Sequence, residues 1–298
     1  MICYNQEPKQ QIEVEGKTIH VFTIEQENID AKTVDSFGEE WKKFNSFTDD
    51  DINVAGNQYF DIVPDEYVSG KMLLDLGCGT GRWAKYLSAR AGFIECVDPS
   101  NAVYSAARLL TGCANIRIAK AAVNNIPFPD NSFDFVFSLG VLHHIPDTFN
   151  AMQSCVKKVK PGGYFLVYLY YNLDNRGVAF GALFFISNLL RKSVSLMPSG
   201  LKGIICDMLA AAIYMPLVLL SRALIGLGME RAARHIPLSY YADKSFRMIR
   251  NDALDRFGTP LEQRFSKKEI AKMMKDCGLA DIVFSEKEPY WHAVGKKK

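Results

Sequence analysis

Leu73-Leu74-Asp75-Leu76-Gly77-Cys78-Gly79-Thr80-Gly81-Arg82-Trp83 is the stretch that decides how this chain is read. An apolar run ends in three alternate glycines, and a helix-forming segment, Arg82 to Ala91, begins behind them. Glycine lets the backbone turn sharply and approach a ligand closely, and a helix N-terminus offers free N–H groups to a carboxylate or phosphate. The spacing is G-x-G-x-G, not the G-x-G-x-x-G of dinucleotide sites, which disfavours NAD and FAD. The next apolar run, Phe93 to Val97, ends in Asp98 and Pro99. A carboxylate there can accept both hydroxyls of a ribose. The plainer alternative is a tight turn with Asp98 as a helix cap, and the strand–turn–helix context argues against it.

Outward from this loop the pattern repeats. Ala102 to Leu110 reads as a helix, and Ile116 to Ala119, Phe133 to Leu139 and Tyr164 to Tyr170 read as further strands. Continuous apolar strands alternating with helices predict a parallel sheet covered on both faces. Ser266 and Glu269 have capping-box spacing ahead of the stripe Ile270, Met273, Met274 and Cys277. Asp281 to Ser285 and Tyr290 to Val294 read as closing strands. Ahead of the loop, residues 12–24 alternate apolar and polar around Glu15-Gly16-Lys17, a hairpin pattern. Ser36 and Glu39 predict the start of a helix that carries Phe37, Trp41 and Phe44 on one face. Asp49 to Val63 reads as a polar linker. Residues 172–240 break the rhythm with two strongly apolar stretches, 178–190 and 203–229, punctuated by Pro198 and Pro216.

The chain has 298 residues, 48% of them hydrophobic, and a formal charge of +2. That length supports one large core or two small ones, and the balanced charge gives no broad pull toward nucleic acid. Seven cysteines without a CxxC pair argue against zinc and disulfide frameworks and fit a reducing cytosol. No apolar leader follows the early Glu7 and Lys9, so no signal peptide is expected.

The loop resembles the S-adenosylmethionine (SAM) binding motif of class I methyltransferases of the small-molecule, type 11 kind. Three further stretches match in order: Ile126-Pro127-Phe128-Pro129-Asp130-Asn131-Ser132-Phe133-Asp134, then Ser138 to Asp147 (SLGVLHHIPD), then Lys160-Pro161-Gly162-Gly163. The resemblance covers about residues 71–171, resumes weakly at 264–298, and is specific for the cofactor, not the acceptor. It implies a doubly wound α/β, seven-stranded Rossmann-like sheet with an N-terminal appendage and a helical insertion after strand five. The expected divisions are 1–63 for the hairpin and gating helix, 64–171 for the SAM-binding core, 172–263 for the insertion and 264–298 for the closing elements. Gly77, Cys78, Gly79 and Gly81 would pass under the methionine part of SAM. Asp75 would orient its amino group, Asp98 with Pro99 would hold the ribose, and Leu139 would lie near the transfer site. Family members often carry an acid for the adenine N6 where this chain has Ala122 or Val123. Backbone groups or the nearby Asn124 amide are the replacements. Trp41 is placed to cover the cofactor, an aromatic face being suited to a sulfonium.

Methyl transfer from a sulfonium needs position above all, and a base only when the acceptor is unionised. His143 and His144, just after the fourth strand, are the candidate bases, with His143 preferred; local packing is the plain alternative. Tyr170, Tyr171, Asn172 and Arg176 follow the fifth strand and are candidate acceptor-binding residues. No metal ligation is expected. The insertion admits three readings: a helical lid, an interfacial pair on a membrane, or a transmembrane hairpin, which needs about 20 apolar residues per span. The first two point to a small-molecule or lipid-linked acceptor with an apolar part. The expected setting is the cytoplasm, with peripheral membrane contact through 178–229 and a homodimer left open. The rival class is a non-catalytic SAM-fold binding or membrane-adaptor protein.

Overall fold

The computed structural model describes residues 1–25, 27–43, 48–172 and 188–298, with the side chains of 39–43, 199, 247, 251 and 255 outside the description. The chain divides into two compact units, residues 1–175 with 261–298, and residues 176–260.

The first unit is built on one sheet. Its strands are β1 (Gln10–Val14), β2 (Lys17–Val21), β3 (Met72–Leu76), β4 (Phe93–Val97), β5 (Ile116–Lys120), β6 (Phe133–Leu139), β7 (Val159–Tyr168), β8 (Leu279–Phe284) and β9 (His292–Lys297). Their order is β1-β2-β5-β4-β3-β6-β7-β9-β8. Strands β5, β4, β3, β6 and β7 run parallel, and β9 is antiparallel to β7. Side chains alternate across the pleat: Leu73, Phe135 and Phe137 enter one core and Leu74 and Val136 the other, which Phe133 joins across a register shift before Phe135. The first core is completed by α2 (Asp49–Tyr59), α3 (Arg82–Ser88) and α4 (Ala102–Leu109), the second by α5 (Thr148–Lys158) and the helix at Lys267–Asp276. Helices on both faces make the sheet doubly wound, and every parallel strand ends at the same edge.

Several local expectations are corrected. Among the described residues the sheet has nine strands, not seven, because the hairpin extends it: β2 pairs parallel with β5, Ile19 opposite Ile118. The polar stretch after Thr48 is helix, not linker. Thr48 and Asp51 form a capping box, and Asp49, Asp50 and Asp51 crowd the first turn, where carboxylates complement the helix dipole. Gly56 on this helix is needed for close approach, since a Cβ there would come within 2.3 Å of the Tyr86 ring. Helix α1 (Ala31–Lys43) starts five residues before Ser36. Its opening N–H at Thr33 is accepted by the Asp30 carboxylate at 2.7 Å, so Asp30 supplies the cap and Ser36 lies mid-helix.

In the second unit α6 (Ser199–Leu209), a π-helical turn (Ala210–Tyr214) and α7 (Met215–Gly226) run on as one apolar helix, followed by α8 (Glu230–Ala233) and α9 (Phe246–Gly258). Pro216 does not break it. The wider π turn just ahead leaves room for the ring that would otherwise strike the carbonyl four residues back. Cys206, Ala210, Tyr214 and Val218 face Ile249, Ala253 and Phe257 in a core of their own. The first apolar stretch, 178–190, falls mostly outside the described residues.

Candidate functional site

The chain assembles its polar groups at the carboxyl edge of the sheet. β3 ends in Asp75 and Leu76, fully buried between Cys96-Val97 of β4 and Phe137 of β6. The backbone then turns: the amides of Gly77 and Cys78 both donate to the Val97 carbonyl, at 2.7 and 3.1 Å, and Gly81 N–H donates to Cys78 O at 2.8 Å. Gly77 has φ 77°, and a Cβ there would meet Val141 at 2.4 Å, so the loop is pressed against the segment leaving β6. Gly79 and Gly81 also hold positive φ.

Asp98 closes β4. One oxygen accepts from Gly79 N–H at 2.9 Å, and the other accepts from Ser100 N–H at 2.8 Å and Ser100 Oγ at 2.6 Å. The acid thus ties the second strand to the glycine loop, and a carboxylate retains lone pairs for further donors. Pro99 follows it, and Leu139 and Ala122 are buried in the neighbouring strand ends.

Asp75 is different. It is 0% exposed, and neither carboxylate oxygen has a hydrogen-bond partner among the described residues. Burial, reinforced by the Asp98 charge and opposed by Arg82 and by the Ala84 amide at the start of α3, holds its carboxyl well above the usual range. A buried carboxyl so weakly satisfied is costly, and a cationic donor would answer it.

After β5, Ala122 precedes a short 3-10 turn, Val123–Asn125. The Asn124 amide donates to the Glu27 carbonyl, which leaves its buried Oδ1 as an unpartnered acceptor. That oxygen can accept from a donor such as an amino group, and none among the described residues supplies one.

After β6 comes the histidine pair. His143 is 0% exposed, stacks on Tyr170 with centroids 3.9 Å apart, and neither of its ring nitrogens has a partner among the described residues. Burial, then the neighbouring His144 and Arg264, push its imidazole well below the ordinary histidine range. His144 lies 4.1 Å away, ring to ring, and its Nδ1 sits 2.7 Å from the Leu261 carbonyl. A carbonyl only accepts, so Nδ1 carries a proton, and Nε2 has no partner among the described residues. Phe37 meets the same ring edge-on at 5.0 Å.

The segment that fixes this pair was not legible in the sequence. Gln263 N–H donates to the His143 carbonyl at 3.0 Å, and its side-chain amide donates to Ile145 O at 2.7 Å. Arg264 ion-pairs with the buried Glu262 at 2.7 Å and lies over the Tyr170 ring at 5.5 Å. Tyr171 bridges to Phe265, and Asn172 is exposed. Residues 261–265 lie more than a hundred positions from the histidines, and no periodicity or motif announces the contact. Arg176 and the Trp41 side chain lie outside the described residues.

The arrangement fits SAM on three counts. Asp75 lacks a cation, the Gly77 bend excludes any Cβ, and Asn124 Oδ1 lacks a donor. A family model described as a methyltransferase domain matches residues 74–167. The chain is 36% identical over 106 residues to a demethylmenaquinone methyltransferase of Geobacillus sp. strain WCH70, covering 32% of this chain and 43% of that protein. It is 33% identical over 129 residues to a ubiquinone biosynthesis O-methyltransferase of Neisseria meningitidis serogroup A, covering 41% and 53%. A solved SAM-dependent methyltransferase from Aquifex aeolicus aligns over 84% of this chain and 98% of its own at 15% identity, TM-score 0.43. The chain spans about half the length of the curated relatives it matches. With the strand–glycine loop–helix of β3 and α3, Asp98 at the end of β4 and this match, residues 74–167 form a class I SAM-dependent methyltransferase domain.

Proposed function

We propose that this chain transfers the methyl group of SAM to a small-molecule or lipid-like acceptor with an apolar part. The observation that carries the reading is Asp75, a buried carboxylate with no partner beside a glycine loop that admits no side chain. When bound, SAM supplies an electrophilic methyl on a sulfonium sulfur. The chain's own residues bind, orient and handle protons. Asp75 would receive the amino group, Asp98 with its spare lone pairs the ribose hydroxyls, and Asn124 Oδ1 the adenine amino group.

For an acceptor that must lose a proton, His144 is the better placed of the two histidines. The Leu261 carbonyl fixes its tautomer, and the bare Nε2 is a proton acceptor. His143, packed between His144 and Tyr170, would hold the neighbouring ring and the loop after β7 in place. Tyr170 and Tyr171 are the groups an acceptor ring would meet. The relatives' names, tied to menaquinone and ubiquinone biosynthesis, support an apolar small molecule.

The test is calorimetric titration with S-adenosylhomocysteine (SAH), with NAD as control, followed by methyl transfer from labelled SAM to lipophilic phenols and quinols. Binding of SAH alone, with label in an acceptor, supports the proposal. Binding without transfer to any acceptor favours the adaptor reading, and failure to bind SAH sinks both.

A further inference from the structure

The helix over Gly200–Gly226 is apolar on both sides. One side packs in its own unit: Lys202 donates from Nζ to Gly258 O at 2.8 Å, and Asp207 receives a bidentate Arg250 pair at 2.8 and 2.6 Å. The other side carries Leu201, Ile204, Met208, Leu219, Ile225 and Leu227, with Ile204 60%, Met208 63% and Leu227 74% exposed. A soluble helix normally turns charge outward on such a face. Here the charged residues between 200 and 227 are engaged within the unit, with Lys202 buried and the Asp207 side chain 45% exposed. Lys202 and Asp207 are paired as above, and Arg222 donates to the Ala242 and Lys244 carbonyls at 2.8 and 2.9 Å.

Charge distribution separates the possible occupants. Residues 176–260 hold eleven Lys and Arg against five Asp and Glu, a formal +6, while the rest of the chain stands at −4. Lys192 lies just before the apolar face and Arg231 and Arg234 just after it, all exposed or partly so. In a two-fold contact between copies these basic ends would face each other. Against an anionic surface the same ends attract. A span through the bilayer would carry the partly exposed Asp207–Arg250 pair into lipid and strip Cys206, Ala210, Tyr214 and Val218 from their own core.

We propose that the outer face of this helix docks in the plane of an anionic phospholipid bilayer. Leu201, Ile204, Met208 and Leu219 enter the headgroup–acyl boundary, and the flanking basic residues hold the phosphates. This docking stands independently of methyl transfer. If both hold, the acceptor is collected from the membrane it is dissolved in.

The full-length protein is sedimented with vesicles of phosphatidylcholine alone and of phosphatidylcholine with about a third phosphatidylglycerol. Binding is expected to the anionic vesicles, to be released by about 1 M salt, where screening shrinks to a few ångströms, and to fall at least tenfold in the double variant Ile204→Glu/Leu219→Glu. The variant's circular-dichroism melt and SAH affinity should both match the parent, which shows that its helical unit is folded and keeps failure of docking separate from failure of the cofactor reading. Equal sedimentation of parent and variant, no sedimentation of the parent, retention after alkaline carbonate extraction, or a dimer in light scattering that the variant abolishes would each overturn the proposal.

Discussion

Replacing Asp75 by asparagine should push stability and cofactor affinity in opposite directions. The side chain is fully buried, its oxygens have no partner among the described residues, and its carboxyl is held well above 3.8 by burial and by Asp98. The unfolded chain therefore ionises this group at a lower pH than the folded chain does. Between the two values the folded state binds more protons, so the group's effect on stability worsens as pH rises through that window and vanishes below it. Asp75→Asn removes the titration while keeping the shape. Leaving a buried polar group unsatisfied costs about 1–3 kcal/mol, and more when it is charged, so the variant should gain at least that much near pH 7.5. At about 2–4 °C per kcal/mol for a chain of this size, about 1–3 kcal/mol should raise the melting point by roughly 2–12 °C. The gain should shrink toward zero as pH falls to 4. SAH binding should weaken by about 5- to 150-fold, the same 1–3 kcal/mol lost at the amino group. Thermal melts across pH, with and without SAH, and calorimetry would read both effects. A lower melting point near pH 7.5 together with unchanged SAH affinity would refute the reasoning.

His144→Ala should lower turnover by about 10²–10⁴-fold on an unionised acceptor while leaving SAH affinity unchanged; full turnover on such an acceptor would remove it as the base. Asn124→Leu should weaken SAH by about 1–3 kcal/mol, and should weaken the inosyl analogue, which lacks the amino group, far less; equal losses would show that Oδ1 does not read N6. Because the His143 imidazole is held below 6.5, the unfolded chain takes up the proton first as pH falls, so stability should drop below pH 6.5. His143→Phe should flatten that slope in urea melts, and an unaltered slope would clear His143 of it. Gly77→Ala should cost about 1–3 kcal/mol through overpacking at its positive φ. Adding Val141→Ala should return part of the loss, and no return would mean that the Val141 contact is not the cause.

The loop and its acid were legible because local chemistry dictates them. Three glycines in a strand-to-helix turn and an acid one strand later admit few meanings. The parallel strands were legible for a similar reason: a strand buried on both faces has to be apolar throughout. What was not legible depended on distant partners. The hairpin pattern at residues 12–24 was visible, but its parallel seat on β5 follows from an unpaired strand edge a hundred residues later. The Asp-rich stretch after Thr48 looked like linker because its polarity belongs to a first helical turn, while the apolar side of α2 is short and relies on a glycine against Tyr86. Pro216 looked like a break because sequence does not reveal a π turn. Sequence favoured His143 of the two histidines, and only the Leu261 carbonyl, brought from the far end of the fold, gives the other, His144, a defined tautomer.

The hairpin's place at the sheet edge has a kinetic consequence. Ile19 must wait for Ile118 to emerge before its pairing exists, and an isolated two-stranded ribbon is marginal in water. During that interval the ribbon is an open edge able to pair with other chains. Its arrival also delivers Glu27 to Asn124 and Asn28 to Asp147, beyond the carboxyl ends of β5 and β6. That part of the carboxyl edge is therefore completed only when a long-range pairing closes, and any ligand that binds the completed edge would favour the closed form by mass action.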